Sequence, residues 1–137
     1  SWGDFGVASA IHALGRMIAD ISHLQVPKQP RTTYNVGVIS GGTSINTIAQ
    51  HAEMFIDMRS TCSNSLAKLE EQVREILQLY AEGLNLQIEV VGDRPGGAIC
   101  IGTTNGEGAH RLDESLDIRP MPQGMAQLTS LLLTLLS

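Results

Sequence analysis

Two stretches of the chain alternate with a period of two. Tyr34, Val36 and Val38 fall on one side of an extended backbone, and Thr33, Asn35 and Gly37 on the other. After the turn-forming cluster Gly41-Gly42-Thr43-Ser44 the alternation returns. Ala52, Met54, Ile56 and Met58 point one way, and Glu53, Phe55, Asp57 and Arg59 the other. An apolar set facing a mostly charged one predicts half-buried strands. They run over 32–39 and 50–59 and are most simply antiparallel neighbours across the Gly-rich connection.

Helical spacing flanks this pair. Val7, Ile11, Leu14, Ile18 and Ile21 recur as one stripe, with Ala10 and Met17 beside them. That predicts an amphipathic helix, with Asp4 as N-cap or first-turn anion. Pro27 and Pro30 lie beyond its end. Gly15 within it is unfavourable and marks close packing on a sheet. Leu66, Leu69, Val73, Ile76, Leu77 and Tyr80 predict a second helix, capped by Ser63, Asn64 or Ser65 and stopped at Gly83. Leu84, Leu86, Ile88 and Val90 then alternate with polar residues as a third strand. The order α-β-β-α-β predicts an α+β fold, a two-layer sandwich with helices on one face of a mixed sheet. Beyond a turn at Gly92–Gly97, Ala98–Thr103 reads as a short strand. Pro122 opens an apolar last helix with Met125, Leu128, Leu132 and Leu135 as its stripe and Leu131, Leu133 and Leu136 widening it.

Composition adds exclusions. The chain has 137 residues, 42% hydrophobic and 17% charged, with a net charge of −5. It is long enough for one core and too apolar to be disordered. An acidic chain without a basic stripe argues against nucleic acid as a partner. No run of about 18 apolar residues exists, so no membrane span is expected. The N-terminal residues have neither the basic segment nor the apolar core of a signal peptide. Cys62 and Cys100 have no metal-binding or redox spacing, and two free thiols point to a cytoplasmic location.

Taken alone, the polar candidates are modest. Asn46 sits in a loop, where Asn commonly bonds nearby backbone. Arg59 ends a strand, where it either pairs with Asp57 or Glu53 or uses its planar fork to hold a carboxylate. A lone His110 does not make a zinc site, because a catalytic zinc takes three protein ligands. His12, His23 and His51 read as structural, and Asp113 and Glu114 as solvated acids.

Gly41-Gly42-Thr43, Asn46 and Asp57-Met58-Arg59 stand together at a spacing that resembles the lid, or dimerisation, domain of the zinc-dependent exopeptidases and aminoacylases. That family includes peptidase T, acetylornithine deacetylase, succinyl-diaminopimelate desuccinylase and glutamate carboxypeptidase. One departure is Ala49, where the family usually has Pro. Farther on, Ala98-Ile99-Cys100-Ile101-Gly102 and Gly108-Ala109-His110-Arg111-Leu112-Asp113-Glu114 resemble the C-terminal end of the family's catalytic domain. The resemblance divides the chain into a lid, 1–95, and a C-terminal segment, 96–137. It implies a ferredoxin-like lid of order β-α-β-β-α-β, whose first strand is missing here. The gap would fall between strands 50–59 and 86–91, and Ala98–Thr103 is the expected replacement, delivered by a hairpin.

For function, the resemblance implies a parent hydrolase that uses two zinc ions, or other divalent metals, to cleave peptide or N-acyl amide bonds. Asn46 would line the substrate site, Arg59 would bind the substrate carboxylate, and His110 would hold one zinc. Two copies would form a homodimer through the edge strand 32–39. Nothing in the chain matches the family's other zinc ligands or its general-base Glu, so these 137 residues alone are expected to hold no tight zinc and to be inactive. The alternatives are a non-catalytic dimerisation module and a small-molecule-binding regulatory domain.

Overall fold

The computed structural model describes residues 2–95 and 127–137. The alternating stretches are strands β1, Thr32–Gly41, and β2, His51–Ser60, paired antiparallel. The apolar set of β2 is the floor of the core: Ala52, Met54, Ile56 and Met58 are all fully buried. Helices α1, Ala10–Ile21, and α2, Ser63–Tyr80, pack on that floor. The result is an α+β two-layer sandwich with both helices on one face of the sheet.

Details of α1 differ from the periodicity. Its N-cap is Ser9, whose hydroxyl accepts the His12 N–H at 3.3 Å. The buried side chains are Ala10, Ala13, Leu14, Met17 and Ile21, whereas Val7 and Ile11 are exposed. Leu14, Ile21, Ala10 and Met17 of the expected set are thus in the core and Ile18 packs partly against it, while Val7 lies before the helix begins and Ala13 takes the buried place expected for Ile11. Gly15 marks no close packing: a Cβ there would meet nothing within 4 Å. The α2 cap also departs from expectation. Its N-cap is Cys62, with no side-chain bond, and the Cys62 N–H is taken by Ser60 Oγ at 3.1 Å. Polar ties secure the helices. Tyr80 Oη donates to Asp20 Oδ2 at 2.6 Å and Tyr34 Oη to the Leu24 carbonyl at 2.9 Å. Donation to a carboxylate pushes the Tyr80 phenol above its usual range.

The largest correction concerns the C-terminal residues. Gln127–Leu136 is a strand, β4, and not a helix. It lies between β2 and β3, which runs Asn85–Pro95 through the turn expected at Gly92. The sheet order is β1-β2-β4-β3, and every pairing is antiparallel, so the sheet is not mixed. Ala98–Thr103 lies outside the described residues, and the slot expected for it is held by β4. The physical reason is tertiary. Leu131, Leu133 and Leu135 are buried in the helix-facing core while their backbone bonds both neighbours. A helix in this place would leave two ladders of backbone N–H and C=O groups unpaired. Thr129, Ser130 and Thr134 also suit a strand better than a helix. Gln127–Leu136 belongs to the 96–137 segment, yet it shares one sheet with residues of 1–95.

β4 also has the direction of a strand that would lead into α1. Ser137 donates its N–H to the Gln50 carbonyl, and Ala10 donates to the Ala49 carbonyl, both at 2.9 Å. The end of β4 and the start of α1 therefore meet at one dipeptide. Pro95 and Gln127 are register partners, so β3 and β4 stay paired antiparallel up to the last described residue of each.

Two substitutions in β4 test this placement. Leu133→Ala removes a fully buried side chain and should cost about 2–5 kcal/mol. Leu132→Ala, on the half-buried opposite face, should cost less than half as much. Urea midpoints at unchanged m-value measure both, and equal small losses would remove β4 from the slot.

Candidate functional site

The β1–β2 connection is shaped by two glycines. At Gly41 a Cβ would lie 2.7 Å from the His51 carbonyl oxygen and 2.9 Å from Ala52 Cα, so the strands approach too closely for any side chain. Gly42 has φ +82° and would press a Cβ to 2.9 Å from Ile11 Cδ1. Its N–H donates to the His51 carbonyl at 3.1 Å. The pair thereby aims the loop toward the start of α1.

Within the loop, Ser44 Oγ bonds Thr47 Oγ1 at 2.6 Å and lies 3.0 Å from Asn46 Oδ1. This local bonding holds Asn46 at the exposed tip, the ordinary turn use of Asn. Ala49, at the family's Pro position, is buried and accepts the Ala10 N–H. The loop is thus fastened to the first turn of α1.

Facing it is the N-terminal stretch. Trp2–Asp4 makes one 3-10 turn, and Val7 donates its N–H to the Asp4 carbonyl at 3.0 Å. Loop, turn and helix enclose an open cleft of about 1000 Å³. Its apolar wall is Trp2, Phe5, Val7, Ile11 and Ile45, and its polar groups include Asn46, His12 and Arg16. Trp2, Phe5 and Ile45 are 95% or more exposed, a concentration of apolar surface that marks a site of contact. Among the described residues no carboxylate lines the cleft.

Arg59 is elsewhere. It ends β2, while Asn46 lies beyond the other end, so roughly 25 Å of strand separates them. Arg59 also belongs to the face that the helices leave open. Its Nε donates to Asp57 Oδ2 at 2.7 Å, and Asp57 Oδ1 accepts from Ser130 Oγ at 3.1 Å. Both ionised side chains are about three-quarters buried, and β4 fixes the acid from the other side. The guanidinium is therefore oriented rather than loosely solvated.

His110 lies outside the described residues. Among the described residues no three His, Cys, Asp or Glu side chains stand close enough to hold a metal, so zinc has no site among them. His12 and Arg16 went unrecognised as cleft residues. The available signal was their spacing of four on the wet face of α1. Cys62, the free cysteine among the described residues, has a thiol pKa lowered chiefly by the backbone N–H groups of Ser65 and Asn64 that face it from the first turn of α2, although none closes a cap bond.

The glycines give a paired test. Gly41→Ala should lower stability by about 1–3 kcal/mol, as overpacking does. Gly15→Ala meets open space in a helix and should raise it by about 0.5–1 kcal/mol. Thermal midpoints of the two variants should therefore move in opposite directions, and a neutral Gly41→Ala would refute the close approach.

A family model described as a peptidase dimerisation domain matches residues 5–84. No curated protein and no solved structure matches the chain. The matched residues begin just after the N-terminal turn, end just before β3, and include α1, the Gly-Gly loop and Asp57-Met58-Arg59. With more than half its length matched, the chain belongs to the peptidase dimerisation domain family.

Proposed function

We propose that this domain joins two copies of a metal-dependent hydrolase that cleaves peptide or N-acyl amide bonds, and that it also contacts the substrate. The observation that carries the homodimer is the outer edge of β1. Among the described residues that strand pairs with β2 alone. Its sequence, TTYNVGVISG, contains neither a charge nor a proline. Edges that stay unpaired are normally blunted by such residues. A bulge at Gly37 reverses the parity of the strand, so Val38 stands opposite Phe55 on the open face and Ile39 opposite Met54 on the helix face, 52% and 60% exposed. Two such edges related by a two-fold axis would extend the sheet and cover these side chains.

In this reading Asn46 and Arg59 meet substrate from different copies, because they stand too far apart in one. Arg59 offers the carboxylate-binding fork, held in position by Asp57. Zinc, implied by the family resemblance, would be supported by residues beyond those described, His110 among them. The described residues serve pairing and substrate contact, and no metal-dependent step is assigned to them.

One observation favours a second reading, a dimerisation module that performs no chemistry. β4 completes the sheet from within the chain, so the sandwich stands without a strand from a catalytic domain. Zinc content and amide turnover of the purified protein separate the two.

The dimer is tested at the edge. Ile39→Lys adds a charge at an exposed site and should convert dimers to monomers in light scattering, with unchanged circular dichroism. A persistent dimer would move the interface elsewhere. For Arg59, the assembled enzyme is the right material. Arg59→Ala should lower kcat/KM by about tenfold or more, as loss of a charged hydrogen bond does. Arg59→Lys should recover little, because an ammonium cannot make the fork. Equal activity of all three forms would reduce Arg59 to a partner of Asp57.

A further inference from the structure

We infer that Ser130 is a positioning residue for Arg59. By holding one oxygen of Asp57, it keeps that acid from closing on the guanidinium, and so leaves the end-on fork of Arg59 open to a ligand carboxylate. The inference rests on the carboxylate-binding role proposed for Arg59 and adds what keeps that role available.

The pairing follows from strand register. β4 sets Ser130 opposite Asp57 and Leu128 opposite Arg59. Directly opposite side chains share a face, with Cβ atoms about 4.5–5.5 Å apart. A slip of one residue would turn Ser130 to the helix face. Ser130 and Leu128 are 4% and 0% exposed. A hydroxyl buried in a strand otherwise rich in leucine costs stability unless it is bonded. Its bond goes to a charge: Ser130 Oγ donates to Asp57 Oδ1 at 3.1 Å. Bonding alone is the ordinary use of a buried serine. The choice of oxygen goes beyond it.

Asp57 is divided between two partners. Oδ1 faces Ser130, and Oδ2 accepts from Arg59 Nε at 2.7 Å. Among the described residues this Nε–Oδ2 bond is the one hydrogen bond of the Arg59 side chain. Acid and guanidinium thus meet through one oxygen and one nitrogen, although both groups are able to pair bidentately. With Oδ1 released, Asp57 would gain a second charged bond by turning that oxygen onto an Nη. Ser130 removes that choice. A guanidinium has five N–H donors, one on Nε and four on the two Nη. With Nε committed to Asp57, the side-on approach is closed and the end-on approach through both Nη remains. A planar carboxylate fits that fork with both oxygens. The side chains of Arg59 and Asp57 are 24% and 26% exposed, so the guanidinium has little room to swing and offer a different side.

The full chain would be observed by NMR at the Arg59 side-chain N–H signals, assigned by their loss in Arg59→Lys. The probe is sodium acetate, titrated against sodium chloride at equal ionic strength. In the wild-type chain acetate should shift the Nη signals of Arg59 and move its Nε–H signal far less. Ser130→Ala lets Asp57 close on Arg59, and should weaken the acetate response by about threefold or more, as loss of one hydrogen bond does. Asp57→Asn removes the competing anion. It should keep the Nη response and add a shift at Nε, and combined with Ser130→Ala it should restore the response that Ser130→Ala loses. A serine that served packing alone would not be rescued in this way. Both substitutions are near-isosteric and should keep the wild-type circular dichroism. Should Ser130→Ala fail to fold, Ser130→Cys keeps the shape with only a weak donor and carries the same comparison. An acetate response of Ser130→Ala equal to wild type, or no rescue in the double variant, would overturn the inference and leave Arg59 as a carboxylate-binding group. No response of Arg59 in any form would instead remove the carboxylate role itself, and the inference with it.

Discussion

The fold depends on the demand of β2 and β3 for a strand between them. β2 presents paired backbone groups to both sides along its whole length, and β3 presents them to one. Leaving that gap open would expose two rows of donors and acceptors that nothing in the helical layer reaches. It would also open the floor of the core beneath α1 and α2. β4 resolves both problems with one segment. Its odd-numbered Leu131, Leu133 and Leu135 fill the core, while Ser130 reaches Asp57 on the other face. Burying three leucines contributes roughly 1.5–3 kcal/mol each relative to exposure. The same strand orients Arg59 through Asp57, so a packing requirement reaches as far as a candidate binding group.

Sequence patterns revealed the elements whose faces differ in polarity. β2 was legible because Met54, Ile56 and Met58 alternate with Glu53, Asp57 and Arg59, and the same contrast made α2 legible. β4 was not, because leucine stands on both faces: Leu128 is buried beside Arg59 and Leu133 beneath the helices. A strand buried on both faces loses its period of two. Its run of leucines then matches a helical stripe equally well. What decides between them is the empty place in the sheet, and that is visible only once the other three strands are placed. β1 failed more subtly. The bulge at Gly37 reverses the parity of everything after it, so Val38 faces away from the core instead of continuing the set of Tyr34 and Val36.

The candidate site shows the same division. Gly41, Gly42 and Asn46 were legible as a motif, and the structure supplies the cause for the glycines: a strand crossing with no room for Cβ, then a left-handed turn under Ile11. Arg59 was legible as a guanidinium with an acid two residues away, and that acid does hold it. Arg16 and His12 were not. On a solvated helix face a basic residue is ordinary, and only the loop opposite distinguishes these two from any other.

The bulge in β1 also constrains how two copies can meet. A regular edge strand with both apolar faces covered by its own sheet would offer only backbone groups to a partner. Here the extra residue twists the strand and places Val38 on the open face and Ile39 on the helix face, adjacent in sequence. A second copy that only stacked on one face would cover one of them. A second copy that pairs along the edge brings its own residues past both. Edge pairing therefore removes more apolar surface from water than stacking does, at about 25 cal/mol per Å², while also satisfying the outward ladder groups of β1. Ile11 extends the exposed apolar surface from the helix layer, where its Cδ1 occupies the space a side chain at Gly42, just past the end of β1, would need. The edge of the sheet and the border of the cleft are thus parts of one continuous surface, and a dimer formed along β1 would set the distance between the two clefts.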